Sequence, residues 1–374
     1  MARVLVTGGA GFIGSHLVDA LIARGHTVRV LDNLTPQVHG RPPRRPDYLH
    51  PAAEFVRGDV RHRPSVRRAL EGVEVVFHQA AAVGVGQSMY EIRRYVDVNT
   101  LGAAVLLDVL ANEPHTVRKL VVASSMSIYG EGAYDCASCG RVYPALRGEE
   151  QLRARDWEMR CPRCQEPVRA VPTAENKPLA PTSIYAITKR DHEELFLAFG
   201  RAYKLPVVAL RYFNVYGPRQ ALSNPYTGVA AIFAARLLNG RPPLVFEDGQ
   251  QTRDFTHVSD IVQANLLAME SAAGDYEVFN VGTGVPTSVL EVARLLAQRL
   301  GVELAPEVVQ RFRAGDIRHC YADITKIRRV LGYEPRVVFA EGGLDDLVRW
   351  ARAQRPADGV ERARRELEAK CLIQ

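Results

Sequence analysis

Tyr185 and Lys189 stand four residues apart in the segment Pro181–Lys189, where a predicted helix begins that runs to about Tyr203. Side chains at positions i and i+4 project from the same face of a helix. Because a nearby ammonium stabilises a phenolate, the pair is expected to lower the pKa of the tyrosine from about 10 toward neutrality. The spacing therefore predicts a general base that is usable at physiological pH.

A serine-rich turn supplies a second group of reactive side chains. It runs from Ser124 to Gly130 and follows a predicted strand, Lys119–Ser124. A Tyr-x-x-x-Lys spacing alone is common, and on an unrelated helix it would be an ordinary surface pair. Here the serine-rich turn precedes the pair along the chain, and a glycine-rich turn precedes both. The order of the three motifs favours catalysis over a chance spacing.

The glycine-rich turn has the spacing of a dinucleotide site. Gly8, Gly11 and Gly14 lie between a predicted strand, Arg3–Val6, and a predicted helix, Gly14–Arg24. The first glycine permits a tight turn, the second lets the backbone approach a pyrophosphate, and the third lets helix and strand pack closely. Since the N–H groups and the dipole of a helix start attract phosphate, this strand–turn–helix unit predicts dinucleotide binding.

Two acids at the ends of strands indicate which dinucleotide binds. Asp32 follows a predicted strand, Thr27–Leu31. Its carboxylate would accept hydrogen bonds from the adenosine ribose hydroxyls and repel a 2′-phosphate, so NAD is expected rather than NADP. A solvated acid in a loop is the alternative. Asp59, at the end of the strand that starts at Phe55, is expected to bond the adenine amino group, although a helix N-cap near Pro64 is a competing account.

The following segments complete the pattern of an α/β fold. The predicted strand Val73–His78 is followed by Ala80, Ala81 and Ala82, whose small side chains would let the backbone pass close to the cofactor. A long helix is predicted from about Tyr90 to Asn112. Strands that alternate with helices at this spacing predict a Rossmann-like, doubly wound parallel sheet with ligands at the carboxyl ends of its strands.

The chain divides into two predicted lobes. Residues 1–180 form the NAD-binding domain, and residues 181–374 mainly form a smaller mixed α/β substrate lobe, with about 181–215 and 250–272 returning to the NAD domain. Beyond about residue 215 the alternation of strands and helices weakens, which favours a mixed lobe. Its predicted elements include the helix Val229–Leu238 and the strand Leu244–Glu247.

An insertion interrupts the first domain at about residues 131–172 and shows no convincing periodicity. It carries two Cys-x-x-Cys pairs separated by 21 residues, namely Cys136 with Cys139 and Cys161 with Cys164. This spacing is typical of a tetrahedral four-thiolate zinc site. A redox pair and a disulfide pair are the alternatives, but no thioredoxin-like context surrounds either pair. Because thiolates fill all four positions, the expected Zn²⁺ is structural, in a zinc-ribbon-like loop too poor in core residues to fold alone.

Composition limits the class of protein. The 374 residues suit a two-lobed enzyme, and no apolar run approaches membrane-spanning length. The chain starts directly with a core strand and shows no signal peptide, so a cytoplasmic location is expected. The net charge of +6 is spread along the chain apart from the loop Arg41–Pro46. An anionic nucleotide substrate explains this bias as well as nucleic acid does.

Two arginines in the second lobe are candidates for binding a diphosphate. Arg253 follows Gly249–Thr252, and Arg313 precedes Asp316. The planar fork of arginine suits phosphate oxygens, although a surface role is the usual one for any single arginine.

Together these motifs resemble the extended short-chain dehydrogenase/reductase family, and within it the nucleotide-sugar 4-epimerases similar to UDP-galactose 4-epimerase. The resemblance covers nearly the whole chain outside the cysteine insertion and the extreme C-terminus. Its motifs are specific in combination: Thr7–Gly14, Asp59–Val60, Ser125 before Ile128–Gly130, Tyr185 with Lys189, Arg211–Asn214 and Arg253–Phe255.

The resemblance implies a role for each matching residue. The implied NAD site comprises Gly8, Gly11, Phe12, Ile13, Asp32, Asn33, Asp59, Val60, Ala80, Ala81, Ala82, Asn99, Tyr185, Lys189 and Tyr212. The implied substrate contacts are Gln87, Ser125, Ser127, Asn214, Arg253, Arg313 and Asp316. Ser125, Tyr185 and Lys189 are the implied catalytic residues, and a homodimer through paired long helices is implied as well.

The implied reaction is an isomerisation at C4 of the sugar. Tyr185 would take the proton of the C4 hydroxyl while hydride moves to NAD, and the 4-keto sugar would turn before hydride returns to its other face. In related dehydratases and decarboxylases, acids stand where this chain has Met126 and Ser127. Their absence favours epimerisation over those two reactions.

Two positions in the sequence narrow the choice of substrate. Uronate-acting epimerases tend to carry threonine at the position of Asn214 and arginine near Ala221, and this sequence departs from both. UDP-glucose, UDP-galactose and dTDP-6-deoxyhexoses such as dTDP-L-rhamnose are the candidates. A non-catalytic NAD-binding regulator with a zinc interaction module is the alternative from another class, and an intact Ser125, Tyr185 and Lys189 set argues against it.

Overall fold

The computed structural model describes residues 1–374. Its strands are β1 (Arg3–Thr7), β2 (Thr27–Asp32), β3 (Glu54–Arg57), β4 (Val75–His78), β5 (Lys119–Ser125), β6 (Ala133–Cys136), β7 (Gly140–Val142), β8 (Arg169–Val171), β9 (Val207–Tyr212), β10 (Asn214–Tyr216), β11 (Leu244–Val245), β12 (Thr252–His257), β13 (Val278–Val281), β14 (Pro286–Ser288), β15 (Glu307–Val308) and β16 (His319–Cys320). Its α-helices are α1 (Phe12–Ala23), α2 (Pro36–His39), α3 (Arg63–Leu70), α4 (Val85–Ser88), α5 (Ile92–Tyr95), α6 (Gly102–Asn112), α7 (Glu149–Arg153), α8 (Ile184–Tyr203), α9 (Val229–Leu238), α10 (Val258–Glu270), α11 (Val289–Leu300), α12 (Thr325–Leu331), α13 (Asp345–Arg352) and α14 (Val360–Glu368).

The main sheet has seven parallel strands in the order β13-β9-β5-β4-β1-β2-β3. Successive residues of its central strands alternate between two buried clusters, as Val4 and Leu5 of β1 do. Helices α1, α10 and α12 cover one face, and α3, α6 and α8 cover the other. Burial on both faces explains why these strands are continuous apolar runs. The predicted doubly wound α/β fold is confirmed.

The order of the strands reverses between β1 and β4. The chain runs from β1 through β2 to β3 on one side, and from β4 through β5 and β9 to β13 on the other. Ligands of such sheets bind at this reversal, outside the carboxyl ends of the strands. The seventh strand, β13, was not predicted because its four residues lie within the region expected to form the second lobe.

The predicted long helix contains an irregular turn. The segment is helical from Ile92, but residues Val96–Leu101 form a π-helical turn between α5 and α6. Asn99 lies in this turn, and its backbone carbonyl faces Nε2 of His192 at 2.9 Å. The wider turn thus gives a buried carbonyl a partner outside the helix, as π-turns often do near functional sites.

The second lobe is built around smaller sheets. Strands β10, β12 and β14 form one sheet, with β16 also paired to β12, and β11 pairs with β15. Helices α9, α11 and α13 pack on them around a core of large apolar side chains. The predicted helix Val229–Leu238 is confirmed, whereas the strand predicted for Leu244–Glu247 ends at Val245. None of the helices combines the length and apolar character needed to cross a bilayer.

The insertion has a regular structure of its own. Its three short strands form an antiparallel sheet in the order β7-β6-β8, and α7 lies between β7 and β8. Tyr134, Val142 and Met159 pack with Cys136 and Cys161 in a small buried cluster. Its sequence shows no convincing periodicity because strands of three or four residues are too short to produce a periodic pattern.

Candidate cofactor and substrate site

One large cavity lies at the carboxyl ends of the main-sheet strands. Its volume is about 630 Å³, and its walls come from the glycine-rich turn, the ends of β4, β5 and β9, helix α9 and the C-terminal segment. A cavity of this size suits a small-molecule ligand. It contains most of the predicted site residues, namely Gly8, Gly11, Phe12, Ile13, Asp32, Asn33, Val60, Ala80, Ala81, Ser125, Ser127, Tyr185, Lys189, Tyr212, Asn214, Arg253, Arg313 and Asp316.

The glycine-rich turn packs so closely that two of its glycines have no room for a side chain. Gly8 has a φ of +69°, and a Cβ there would lie 2.8 Å from the backbone of Ala80. A Cβ on Gly14 would lie 2.3 Å from the carbonyl oxygen of Gly8. Helix α1 begins directly after this turn, and no side chain caps its first residues. Its N-terminal N–H groups are therefore available to a phosphate ligand.

Asp32 borders the cavity at the end of β2. Its carboxylate accepts hydrogen bonds from the backbone N–H groups of Ala10 at 3.0 Å and Leu34 at 2.9 Å. Burial raises the pKa of this carboxyl, and the backbone bonds and His39 oppose the rise. The two bonds hold the side chain across the turn between β1 and α1, where an adenosine ribose would meet it.

Asp59 lies beside the cavity and not in its lining. Its carboxylate accepts hydrogen bonds from Arg61 and from Nδ2 of Asn33 at 2.9 Å. The bond from Arg61 is the main cause that lowers the pKa of Asp59 to about 2. Helix α3 has His62 as its N-cap residue, so the competing account of Asp59 as the cap is wrong.

Ala82, Asn99 and Gln87 also lie behind the wall of the cavity. Oδ1 of Asn99 accepts from the N–H of Ala82 at 2.7 Å, and its Nδ2 donates to Thr188 at 2.9 Å. Asn99 thereby holds the segment after β4 against α8. Oε1 of Gln87 accepts from the Tyr95 hydroxyl at 3.1 Å. These side chains support the wall from behind.

Ser125, Tyr185 and Lys189 converge on the same cavity. Ser125 ends β5, and Tyr185 lies in the first turn of α8, which starts after the N-cap residue Ser183. The Ser183 hydroxyl accepts from the N–H of Ala186 at 3.1 Å. Lys189 is buried one turn later and donates to the carbonyl of Ala123 at 2.8 Å. A strand end and a helix start thus bring together residues that lie 60 positions apart in the chain.

The expected lowering of the Tyr185 pKa is wrong for the protein without ligands. Burial raises the pKa of this phenol to about 12, and the neighbouring Ser125 hydroxyl only partly opposes the rise. Burial also lowers the pKa of Lys189 to about 7, so its positive charge is weakened near neutral pH. Desolvation is thus the main influence on the pKa of both side chains.

The residues predicted for the diphosphate line the same cavity. Arg253 donates to the carbonyls of Ile317 at 2.7 Å and Arg318 at 3.0 Å. Arg313 donates to the carboxylate of Asp316 at 2.7 Å. Burial and the opposing charge of Arg313 act against each other on Asp316, and its pKa is lowered. Both guanidinium groups are therefore held in place beside the cavity.

Several lining residues were missed by the sequence prediction. The ring of Phe246 lies 4.8 Å from the Arg313 guanidinium carbon, and α14 contributes Ala363, Arg364 and Leu367 to the wall. Ile373 pairs with the segment that carries Arg313. The apolar residues of α14 recur at helical spacing, which indicates one buried face. That spacing alone does not indicate which surface the helix covers.

The four cysteines of the insertion are brought together. Their sulfur atoms all lie within 4.8 Å of one another, and Sγ of Cys136 and Cys164 are 3.5 Å apart. In a tetrahedral site with zinc–sulfur bonds of about 2.3 Å, the sulfurs would stand about 3.8 Å apart. The N–H of Arg163 points to Sγ of Cys161 at 3.4 Å. The donor set thus has the spacing of a four-thiolate metal site.

Comparison with known proteins agrees with this arrangement. A dTDP-L-rhamnose 4-epimerase of Burkholderia thailandensis is 37% identical over 351 residues, which cover 93% of this chain and 94% of that protein. The crystal structure of the UDP-glucose 4-epimerase of Thermotoga maritima with UDP-glucose is 35% identical, with a TM-score of 0.76 over 94% of this chain and 98% of that one. The UDP-glucose 4-epimerase of Thermus thermophilus in complex with NAD is 34% identical, with a TM-score of 0.73 and coverage of 94% and 99%.

The match to a protein family covers most of the chain. The sequence model of the NAD dependent epimerase/dehydratase family matches residues 4–146 and 161–282. These ranges include the glycine-rich turn, the serine-rich turn and the Tyr185–Lys189 pair. The chain therefore belongs to the NAD dependent epimerase/dehydratase family.

Proposed function

We propose that this protein is an NAD-dependent 4-epimerase of a nucleotide-diphosphate sugar, an isomerase of class EC 5.1.3.-. One observation carries the proposal: Ser125, Tyr185 and Lys189 line the same cavity as the glycine-rich turn and the two arginines of the second lobe. The activities named for the similar proteins support it.

The residues around the first half of the cavity fit NAD. The glycine-rich turn and the uncapped start of α1 would hold its pyrophosphate, and Asp32 would bind the adenosine ribose. Tyr185, Lys189 and Tyr212 line the same cavity. When bound, the nicotinamide supplies the chemistry of accepting a hydride and giving it back.

Tyr185 is the proposed base. Its Oη would take the proton from the C4 hydroxyl of the sugar and later return it, while Ser125 holds the same oxygen. Because burial raises the pKa of Tyr185 to about 12, ionisation requires additional positive charge beside the phenol. Lys189 supplies part of this charge when it is protonated. Arg253 and Arg313 would keep the diphosphate bound while the 4-keto sugar rotates about it.

The serine-rich turn favours epimerisation over elimination or decarboxylation. Met126 is buried, and the Ser127 hydroxyl donates to the Ser125 hydroxyl at 2.9 Å. Neither position offers an acid that could protonate a leaving group. The second candidate within the family is a nucleotide-sugar dehydratase or decarboxylase, and this turn argues against it.

Purified protein should interconvert the C4 epimers of one nucleotide sugar without added NAD. The assay would incubate it with UDP-glucose, UDP-galactose, UDP-glucuronate and dTDP-L-rhamnose in turn and separate the epimers by chromatography. Conversion of any of them supports the proposal. Failure to convert any of them, together with salt-sensitive binding to nucleic acid, would instead favour a non-catalytic regulator.

We propose a neutral hexose or 6-deoxyhexose as the substrate. Asn214 and Ala221 both line the cavity, and neither offers a charge for a carboxylate. Leu367 also lines the cavity and adds an apolar side chain to its wall. A uronate would leave its carboxylate without a charged partner among these residues.

We propose that the four cysteines bind one structural Zn²⁺. All four ligands are thiolates, so no coordination position remains for water.

Metal analysis should give about one zinc per chain. Cys161→Ser should release it and lower the melting temperature by roughly 4 °C or more, whereas Cys371→Ser, at an exposed cysteine outside the cluster, should change neither. An iron–sulfur absorbance band would contradict the zinc assignment. Reduced thiols are also consistent with the expected cytoplasmic location.

We propose a homodimer through α5, α6 and α8. Ile92, Val96 and Leu101 on the first helical segment, and Ile187 and Leu195 on α8, are exposed apolar side chains. Two such helices from each protomer would bury these side chains in a four-helix contact. Light scattering should give twice the mass of the chain, and Leu101→Glu should shift the protein toward the monomer. A wild-type monomer at micromolar concentration would contradict this assembly.

A further inference from the structure

We propose that Arg147, in the cysteine insertion, is a positioning residue for the diphosphate-binding arginines. The inference rests on the proposed function, because it assigns the insertion a part in nucleotide-sugar binding. The insertion lies against the strand and loop that carry Phe246, Arg253 and Arg313. A network of buried charges connects it to them.

The first link is an ion pair between Arg147 and Glu247. Both nitrogens of the guanidinium end donate to the two carboxylate oxygens, each at 2.8 Å. The side chains are 2% and 3% exposed. Nη1 of Arg147 also donates to the carbonyl of Trp157 at 2.9 Å, which ties the pair to the rest of the insertion. A bidentate pair fixes orientation as well as distance.

The second link is Arg318, whose side chain is fully buried. Its guanidinium donates to Glu247 at 3.1 Å, to Asp248 at 2.7 and 2.9 Å, and to Glu158 of the insertion. Glu131, at the start of the insertion, accepts from the backbone N–H of Arg318 at 2.7 Å. The insertion therefore holds Arg318 by both its side chain and its backbone.

The network ends at the proposed diphosphate site. The carbonyls of Ile317 and Arg318 are the acceptors that hold the guanidinium of Arg253. Arg147 also reaches the carbonyl of Asp316 at 3.5 Å, and the carboxylate of that residue holds Arg313. A shift of the segment from Asp316 to Arg318 would thus move both arginines that face the cavity.

Glu247 itself occupies an unusual backbone position. Its φ is +52°, in the left-handed region that residues other than glycine rarely adopt. It directly follows Phe246, whose ring lies 4.8 Å from the Arg313 guanidinium carbon. The ion pairs with Arg147 and Arg318 hold Glu247 in this conformation, which places Phe246 beside the site.

Arg147 and Glu158 lie outside the two ranges, 4–146 and 161–282, that match the family. On the side of the insertion, these two residues make their contacts from outside the matched ranges, whereas Glu131 lies within the first of them. Without Arg147, Glu247 would keep only the Arg318 guanidinium, which also pairs with Glu158 and Asp248. The excess negative charge would repel a diphosphate, in addition to the loss of position.

The test compares Arg147→Met with Arg160→Met, a control in the same insertion whose arginine forms only an exposed pair with Asp156. Calorimetry with UDP and dTDP gives the Kd of the free nucleotide, and the epimerase assay gives KM and kcat. Arg147→Met should weaken nucleotide binding and raise KM about tenfold, with kcat within about twofold and bound NAD unchanged. Arg160→Met should match the wild type.

A second variant keeps the test decisive if Arg147→Met does not fold. Arg147→Lys retains the charge but loses the bidentate fork, and should raise Kd about threefold. A variant with a lowered melting temperature but unchanged Kd and KM would show a merely structural role for Arg147 and overturn the proposal. A wild-type protein that binds neither UDP nor dTDP would also overturn it. If Arg147→Met binds UDP and dTDP more weakly than the wild type does, but the wild type epimerises no sugar, this inference is upheld and the proposed function is contradicted.

Discussion

Tyr185→Phe is expected to lower kcat about 10³-fold or more while the protein keeps its fold and its NAD. A general base contributes about 10²- to 10⁴-fold to a rate, and the phenol oxygen is the only atom lost. The neighbouring Ser125 hydroxyl also accepts a hydrogen bond from the Ser127 hydroxyl at 2.9 Å, so it keeps a partner when the phenol oxygen is removed. The ring still packs against Tyr95, with 6.4 Å between the two ring centres.

The measurement is the rate of epimer interconversion, together with the amount of NAD released on denaturation. Tyr203→Phe is the matched control, because Tyr203 ends the same helix α8 and is exposed. That variant should keep wild-type activity. If Tyr185→Phe kept more than about a tenth of the wild-type kcat, another group would have to accept the proton, and the proposed base would be wrong.

Gly14→Ala is expected to abolish NAD binding and to destabilise the first domain by about 3 kcal/mol or more. The added methyl would lie 2.3 Å from the Gly8 carbonyl oxygen and 2.7 Å from Cα of Gly9. Both contacts are with backbone of the same turn, so no flexible side chain can move aside. The turn would have to open, and the start of α1 would move away from the pyrophosphate position.

Thermal unfolding and the NAD content of the purified protein measure the two effects. Gly148→Ala is the control, since a Cβ at Gly148 meets no atom within 4 Å and its φ is −66°. This variant should differ from the wild type by less than about 0.5 kcal/mol. A Gly14→Ala protein with normal stability and normal NAD content would show that the turn is not as close-packed as the structure has it.

Local sequence patterns were enough to predict most strands and helices of the first domain. The strands at Arg3–Thr7 and Thr27–Asp32 each lie within one residue of their predicted bounds. In the second lobe, the helix at Val229–Leu238 lies where the sequence predicts it. Their apolar residues recur with the period of the element that they form. The strand Val278–Val281 was missed because it lies in the region expected to form the second lobe, and its place in the main sheet depends on pairing with β9.

In the cysteine insertion, one feature could be predicted from the sequence and another could not. The spacing of its four cysteines predicts that their sulfurs meet, and the structure brings all four within 4.8 Å. The spacing says nothing of where the insertion packs. Arg147 appears in the sequence as one more arginine in a charged loop, and its partner Glu247 lies 100 residues away.

By itself, the amino-acid sequence determined the parallel α/β fold, the glycine-rich turn, the Ser125–Tyr185–Lys189 set and the cysteine quartet. These features depend on spacing within one element or one turn, where periodicity and side-chain chemistry act over a few residues. The tertiary structure alone decided that burial raises the pKa of Tyr185, that the C-terminal helix α14 lines the cavity, and that Arg147 of the insertion pairs with Glu247 of the second lobe. Desolvation and ion pairing depend on which distant segments meet, and that information is spread over the whole chain.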